Sequence, residues 1–337
     1  MIQKFHAILE PDFPEWLQEY IKTPVLQKQK YISTTCGTIY SDLFESQRFY
    51  SSLDHAIGVA LIVWHFTHDK KQTLAGLFHD IATPVFKHCV DFMNGDHLAQ
   101  ESTEDLTTDM IAGSPEISRL LKRDGILVSE VDNYHLYPIA DNDTPKLSAD
   151  RLEYSLANMF FAYGLADLAE IREIYADIVV QSDENGVKEL GFQTKKIARK
   201  FVKLTSQLSI FYREDRTRYS MQFLADILKK MSESGRISVT DLYQMKESEV
   251  IEMILASDYS DAFLAWRKAK KIKKAKSLEQ CPDGVYIVNC RAKVRYIDPL
   301  WQGERMSKAC KIAKGYIEKN LAYKMEGYLY LPGVRLT

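Results

Sequence analysis

The chain has 337 residues, more than one modal domain of about 150, so it can bury a sizeable core. Its 44 basic and 46 acidic residues leave a net charge of -2, which excludes a global field for holding nucleic acid or an anionic membrane. Five scattered cysteines (Cys36, Cys89, Cys281, Cys290 and Cys310) form no C-x-x-C pair, which argues against a disulfide framework or zinc knuckle and fits a reducing cytosol. The N-terminal "MIQKFHAILEPDF" lacks the apolar core of a signal peptide, and the apolar window "AIGVALIVWHF" is too short to span a bilayer. A soluble, cytoplasmic chain without a membrane partner is expected.

The dominant period is helical. Val59, Ile62, Val63 and Phe66 fall at i, i+3, i+4 and i+7, which predicts a helix over 55–66 with one buried face. A second helix is expected from Thr73 to Ile81, stopped near Pro84 because proline disfavours helical geometry in the residue before it. Further helical patterns cover 97–112, 115–122, 148–161, 164–177, 193–211, 217–232 and 239–256. Two stretches break the pattern. "IVVQSDENGVKELGF" (178–192) has β-rich arms around Asn185-Gly186, a dipeptide that supplies positive φ, and predicts a hairpin. In "GVYIVNCRAKVRYIDPLW" (284–301), Arg291, Lys293 and Arg295 alternate with Ala292, Val294 and Tyr296, which predicts a half-buried strand. The fold class is thus mainly α, with a helical domain over 1–265 and a small α+β appendage over 277–337. Between them "RKAKKIKKAK" (267–276), with seven basic residues of ten, reads as a solvated face or linker, and as a phosphate or nucleotide patch in the functional alternative.

Four residues carry a chemical signal together: His55 in "LDHAIGVA", His79-Asp80 in "LFHDIA", and Asp150 in "LSADRLEY". Each lies on or at the edge of an apolar helix, where an unpaired charge or imidazole is costly unless it finds a partner or a metal. Two imidazoles and two carboxylates suit a first-row ion such as Mn, Fe, Co, Ni or Zn better than Ca, with Mg left open. Asp150, Tyr154 and Asn158 share one helix face, beside Arg151.

The contexts "SSLDHAIGVALIV", "LAGLFHDIATPVFKH" and "LSADRLEYSLAN", in this order, resemble the H…HD…D signature of the HD superfamily of metal-dependent phosphohydrolases. Upstream, "KTPVLQKQKYISTTCGTIYSDLF" resembles the T-P-x-x-Q-R-L-R-x-I stretch of the deoxynucleoside triphosphate triphosphohydrolase branch, so the likeness covers about 20–165. It implies a helical HD bundle with His55, His79, Asp80 and Asp150 as metal ligands. It further implies Asp80 on the nucleophilic water, Arg151 as a phosphate clamp, and Tyr154 and Asn158 near the sugar. Read on their own, Arg151 pairs with a surface carboxylate and Tyr154 packs in the core equally well.

The chain departs from that branch in its substrate machinery. Where the branch reads I-G-H-G-P-F-S-H, this sequence reads Ile81-Ala82-Thr83-Pro84-Val85-Phe86-Lys87-His88, losing the first histidine and keeping the second. A later His-Glu is Gln100-Glu101, with His97 one turn earlier; an arginine before the first ligand is Ser52, with Arg48 the nearby basic substitute. The arginines of the upstream stretch are Lys28 and Lys30, which keep charge but lose the bidentate fork. Hydrolysis of a simpler phosphate ester of a nucleotide-like small molecule is therefore expected, with Lys87 and His88 supplying charge and a general acid. The alternative is a degenerate HD domain that holds a nucleotide as a regulatory module without efficient turnover. Homo-oligomerisation is left open by the resemblance. His65 and His68, His135, and Glu101 with Glu104 are weaker candidates, read mainly as helix-end, loop and surface residues.

Overall fold

The computed structural model describes residues 1–93 and 106–336, and helices dominate it. The Ser52–Thr67 helix begins where Ser51 and Asp54 cap one another. The Ser51 hydroxyl accepts from the Asp54 N–H at 3.1 Å and the Asp54 carboxylate accepts from the Ser51 N–H at 3.0 Å, satisfying two donors that lack an intrahelical partner. Val59, Ala60, Leu61, Ile62 and Val63 are all buried, so the middle of this helix is enclosed on every side rather than along the single expected face, while its last turn reaches the surface at His65.

The Lys70–Phe78 helix packs closely on it because Gly76 has no side chain: a Cβ there would lie 3.3 Å from γ-methyls of both Val59 and Val63. It ends at Phe78, earlier than the expected Ile81. The following carbonyls are claimed from outside, with the Gln29 amide donating to Ile81 O at 2.7 Å and the Lys28 ammonium to Thr83 O at 3.1 Å. The Ala149–Ala157 helix runs into a π turn over Asn158–Ala162. The expected hairpin forms from strands Ile178–Ser182 and Lys188–Phe192, antiparallel, with Ile178 opposite Phe192.

Two expectations are corrected. The 239–256 segment is two helices, Val239–Gln244 and Glu247–Leu255. Ser238 and Asp241 cap the first, and the Glu249 carboxylate accepts from the Lys246 N–H at 2.8 Å to start the second. The 284–301 segment is a strand only at Ile287–Val288, paired with Tyr328–Tyr330, and at Leu300–Trp301, paired with Lys188–Phe192. Between these strands the alternating residues 291–296 form a strap outside any sheet, held by scattered anchors. The Arg218 guanidinium donates to Cys290 O at 2.7 Å, the Asn320 amide to Arg295 O at 3.0 Å, and the Asp298 N–H to Pro145 O at 2.8 Å.

The core falls into two clusters. One joins the Ser52–Thr67 and Lys70–Phe78 helices to the hairpin and takes in Ile297, Met306, Ala313 and Ile317. The other centres on the Asp215–Glu233 and Glu247–Leu255 helices and takes in Val288, Ala292, Leu329 and Val334. Residues of the 277–337 segment are thus shared between the two clusters and not gathered in a core of their own. In the basic 267–276 stretch, Lys273–Ala275 is an edge strand against Tyr328–Tyr330, Lys270 lies 3.2 Å from Asp42, and Lys274 lies 3.3 Å from Asp215. All five cysteines are free. Among the described residues no helix is long and apolar enough to cross a membrane.

Glu247 is fully buried at the start of its helix. Burial pushes its carboxyl up from 4.5 to about 7, against the opposing pull of the Tyr40 hydroxyl, the Ser33 and Phe86 N–H groups and the Lys28 charge; the thiols of Cys36 and Cys89 also face it. The native chain therefore holds a proton between pH 4.5 and 7 that the unfolded chain releases. This contribution to stability is full below 4.5 and is lost as pH rises through 7. Urea unfolding of Glu247→Gln, which stays neutral, is expected to gain on the wild type by up to ~3 kcal/mol between pH 4.5 and 8. A difference independent of pH would contradict this.

Candidate metal centre and cleft

His55 sits in the first turns of the Ser52–Thr67 helix, His79 and Asp80 directly after the Lys70–Phe78 helix, and Asp150 in the first turn of the Ala149–Ala157 helix. Asp150 is placed by a braced loop. The Ser148 hydroxyl accepts from the Arg151 N–H at 3.2 Å and donates to Asp141 at 2.9 Å, while the Leu147 N–H donates to Glu189 at 3.0 Å. Glu189 in turn is held by both Nη atoms of Arg305, at 2.7 and 2.8 Å.

The four side chains converge. His55 Nε2 lies 3.2 Å from His79 Nε2, 3.2 Å from Asp150 Oδ1 and 3.9 Å from Asp80 Oδ2. His79 Nε2 lies 3.6 Å from Asp150 Oδ1 and 3.9 Å from Asp80 Oδ1. The ligand atoms of His55, His79 and Asp80 all fall within 4.8 Å of one another, a group that could hold a metal ion.

The second nitrogen of each ring decides what the first can do. His79 Nδ1 lies 2.7 Å from Gly76 O, which can only accept, so Nδ1 carries the hydrogen. His55 Nδ1 contacts the Glu153 carboxylate, which is fully buried and also accepts from the Tyr50 hydroxyl at 2.6 Å. When both rings are neutral, their Nε2 lone pairs turn towards one point that a shared cation can occupy. The donor set, two imidazole nitrogens flanked by two carboxylates, fits a divalent transition ion. With no cation in place, burial lowers the His55 pKa but the Glu153 and Asp150 carboxylates outweigh it, pushing it up to about 10. Burial opposes ionisation of Asp80, yet the charges of Lys87, His79 and His55 hold its carboxyl well below the usual range.

Lys87 is nearly buried and donates to Asp80 Oδ2 at 2.6 Å. His88 Nδ1 lies 2.8 Å from the buried Asp91 carboxylate, leaving Nε2 as its nitrogen towards the cleft. The cleft beside the cluster has a volume of about 640 Å³, and Tyr154, Asn158, Arg151, Lys87 and His88 line it. Arg151 is engaged with its own loop, donating to Asn142 Oδ1 at 2.7 Å and lying 3.5 Å from Asp141. Arg48 does not reach the cleft: it is exposed, with its guanidinium over the Phe160 ring and 3.2 Å from Met1 Sδ. Lys28 is spent on the Thr83 carbonyl and Lys30 is exposed. His65 lies 3.1 Å from Glu10, away from the cluster, whereas His135 lines the cleft 3.0 Å from Asp141. His97, Gln100, Glu101 and Glu104 lie outside the described residues.

Sequence reasoning missed Glu153, Tyr50, Asp91 and the cleft wall made by the 292–296 strap with Tyr212. Glu153 carried a usable signal, since i+3 from Asp150 is the same helix face. The strap carried none, because its place depends on anchors far along the chain.

No protein-family model matches the chain. It is 26% identical over 243 residues to the uncharacterized protein YdhJ of Bacillus subtilis (strain 168), covering 72% of this chain and 71% of that one. Among solved structures it superposes on a hypothetical protein from Aquifex aeolicus with a TM-score of 0.62 at 15% identity, covering 95% of this chain and 93% of that chain. It also superposes on a phosphohydrolase from Bacteroides thetaiotaomicron VPI-5482 with a TM-score of 0.60 at 11% identity, covering 93% and 94%. The fold is shared over nearly the whole chain. At these identities the likeness is one of fold.

Proposed function

We propose that the chain is an HD-type metal-dependent phosphohydrolase that cleaves a phosphate ester of a nucleotide-like small molecule. The observation that carries this reading is the meeting of two imidazole Nε2 atoms, each with its Nδ1 already engaged, beside Asp150 and Asp80. His55, His79, Asp80 and Asp150 would hold a divalent ion, Mn, Fe, Co, Ni or Zn, with Mg a weaker fit to two nitrogens. Such an ion supplies Lewis acidity that polarises a phosphoryl oxygen and acidifies water near neutral pH.

The chain's own groups supply the rest. Glu153 and Gly76 O orient the two imidazoles, and Lys87 keeps Asp80 ionised and turned towards them. His88, braced by Asp91, would give a proton to the leaving oxygen, which departs as an alcohol. Tyr154 and Asn158 line the cleft where the organic part of a substrate would lie. A triphosphate is the weaker substrate because Thr83 replaces one phosphate-binding histidine of the branch, Lys28 is bound to backbone and Arg48 faces away. The shared fold with a phosphohydrolase is consistent with this reading.

The test is phosphate release by the Mn²⁺-supplemented chain from mono-, di-, triphosphate and cyclic nucleotides, with thermal shift in parallel. Monoesters or diesters are expected to turn over faster than triphosphates. A nucleotide that stabilises the chain and is recovered intact would favour a regulatory binding module instead.

A further inference from the structure

Two consecutive residues beside the metal centre, Phe86 and Lys87, have φ of 60° and 44°. Side-chain-bearing residues rarely adopt this left-handed region, and such strain persists only where the surroundings over-determine it. Several contacts do so here. The Phe86 ring is fully buried and seats against Gly37, where a Cβ would come within 2.7 Å of it. The Val85 N–H donates to Leu242 O at 2.8 Å. The Phe86 ring also meets the Tyr40 ring edge-on, with centroids 6.3 Å apart, and Tyr40 donates to Glu247.

Glu247 does more than fill space. Its Oε1 accepts from the Ser33 N–H at 3.1 Å and its Oε2 from the Tyr40 hydroxyl at 2.7 Å. Ser33 bridges to Ser51, the cap of the helix that carries His55. One buried carboxylate thus ties together the approach to His55, the 33–40 loop and the turn that presents Lys87. A carboxylate without exposure is costly to keep in a core unless its bonds are needed.

We propose that Glu247 is a positioning residue for the metal centre: by holding the Phe86-Lys87 turn it sets the Lys87 ammonium against Asp80 and so orients that carboxylate for a divalent cation. The orientation half of this inference rests on the proposed function; the hold on Lys87 does not. With Lys87 on Oδ2, the Asp80 oxygen on the His79 side is the one left for the cation.

Two readouts separate those halves. Acetylation of lysines by an amine-reactive ester, followed by mass spectrometry, is expected to find Lys87 protected in the wild type and in Glu247→Gln, and labelled faster in Glu247→Ala. Equal protection in Glu247→Ala would overturn the proposal whether or not the chain binds a metal. Mn²⁺ affinity is expected to fall about tenfold or more in both Lys87→Ala and Glu247→Ala, as for other groups that orient a ligand, and no further in the double variant. Glu247→Gln should stay near the wild type. Unchanged affinity in Glu247→Ala, fully additive effects, or tighter binding in Lys87→Ala would overturn it. Wild-type chain that takes up no Mn²⁺ would overturn the metal-orienting half together with the proposed function, while the labelling result still judges the hold on Lys87. If Glu247→Ala does not fold, Glu247→Asp, one methylene short of the Tyr40 hydroxyl, is read in its place.

Discussion

His79→Ala is expected to lower hydrolysis of a phosphoester by more than the ~10²–10³ that loss of one transition-state contact costs, because it removes a ligand as well as a contact. His79 Nε2 stands 3.2 Å from His55 Nε2 and 3.6 Å from Asp150 Oδ1, so its loss opens the side of the cluster that faces the Lys70–Phe78 helix. The fold should survive, since away from the cluster the ring bonds Gly76 O and packs on the Tyr134 ring, and losing a single buried bond costs ~1–3 kcal/mol. Asp80→Ala should abolish the same activity with a larger fall in stability. It strands the Lys87 ammonium; breaking a fully buried ion pair from one side costs ~3–5 kcal/mol, and less here, where Asp80 is a quarter exposed. Asp80→Asn keeps a polar partner for Lys87 and separates the chemical loss from the structural one. Phosphate release, bound metal and the melting temperature of the three variants check this; wild-type turnover in His79→Ala would contradict it.

The second large effect concerns a residue that touches no substrate. Glu153→Gln should weaken metal affinity by ~10–100-fold while leaving the cleft lining otherwise intact. The fully buried carboxylate receives His55 Nδ1 on one oxygen and the Tyr50 hydroxyl at 2.6 Å on the other, which fixes the ring's tautomer and raises the basicity of Nε2. The site is closely fitted, since a Cβ on Gly58 would lie 2.6 Å from the Glu153 Oε1 atom. A glutamine fills the same volume but cannot accept on both positions, so the cost falls on His55 first. Calorimetric titration with Mn²⁺ measures it, and unchanged affinity in Glu153→Gln would show that the ring is held by packing alone.

The helices expected over 55–66 and 164–177 were legible from their apolar period, but their starts were not: the Ser51–Asp54 and Asp167–Glu170 caps begin them at Ser52 and Leu168. The four proposed ligands were legible because each is a chemically conspicuous residue in a strongly periodic segment, and the fold brings them together. Arg48 was misplaced for the opposite reason: proximity in sequence to the His55 helix says nothing about which way an exposed side chain turns. The 291–296 segment was read as a strand because a period of two reports extended backbone, not a hydrogen-bonded neighbour. Its actual fixtures, Arg218, Ser209 and Asn320, come from distant positions. Glu247 was invisible on the same ground, since its partners Ser33 and Tyr40 lie more than two hundred residues earlier.

The most direct test takes purified chain, determines its metal content by elemental analysis, and follows phosphate release from a generic phosphoester before and after chelation. About one divalent ion per chain is expected, with activity lost on chelation and restored by Mn²⁺. Full hydrolysis by the metal-free chain would contradict the account.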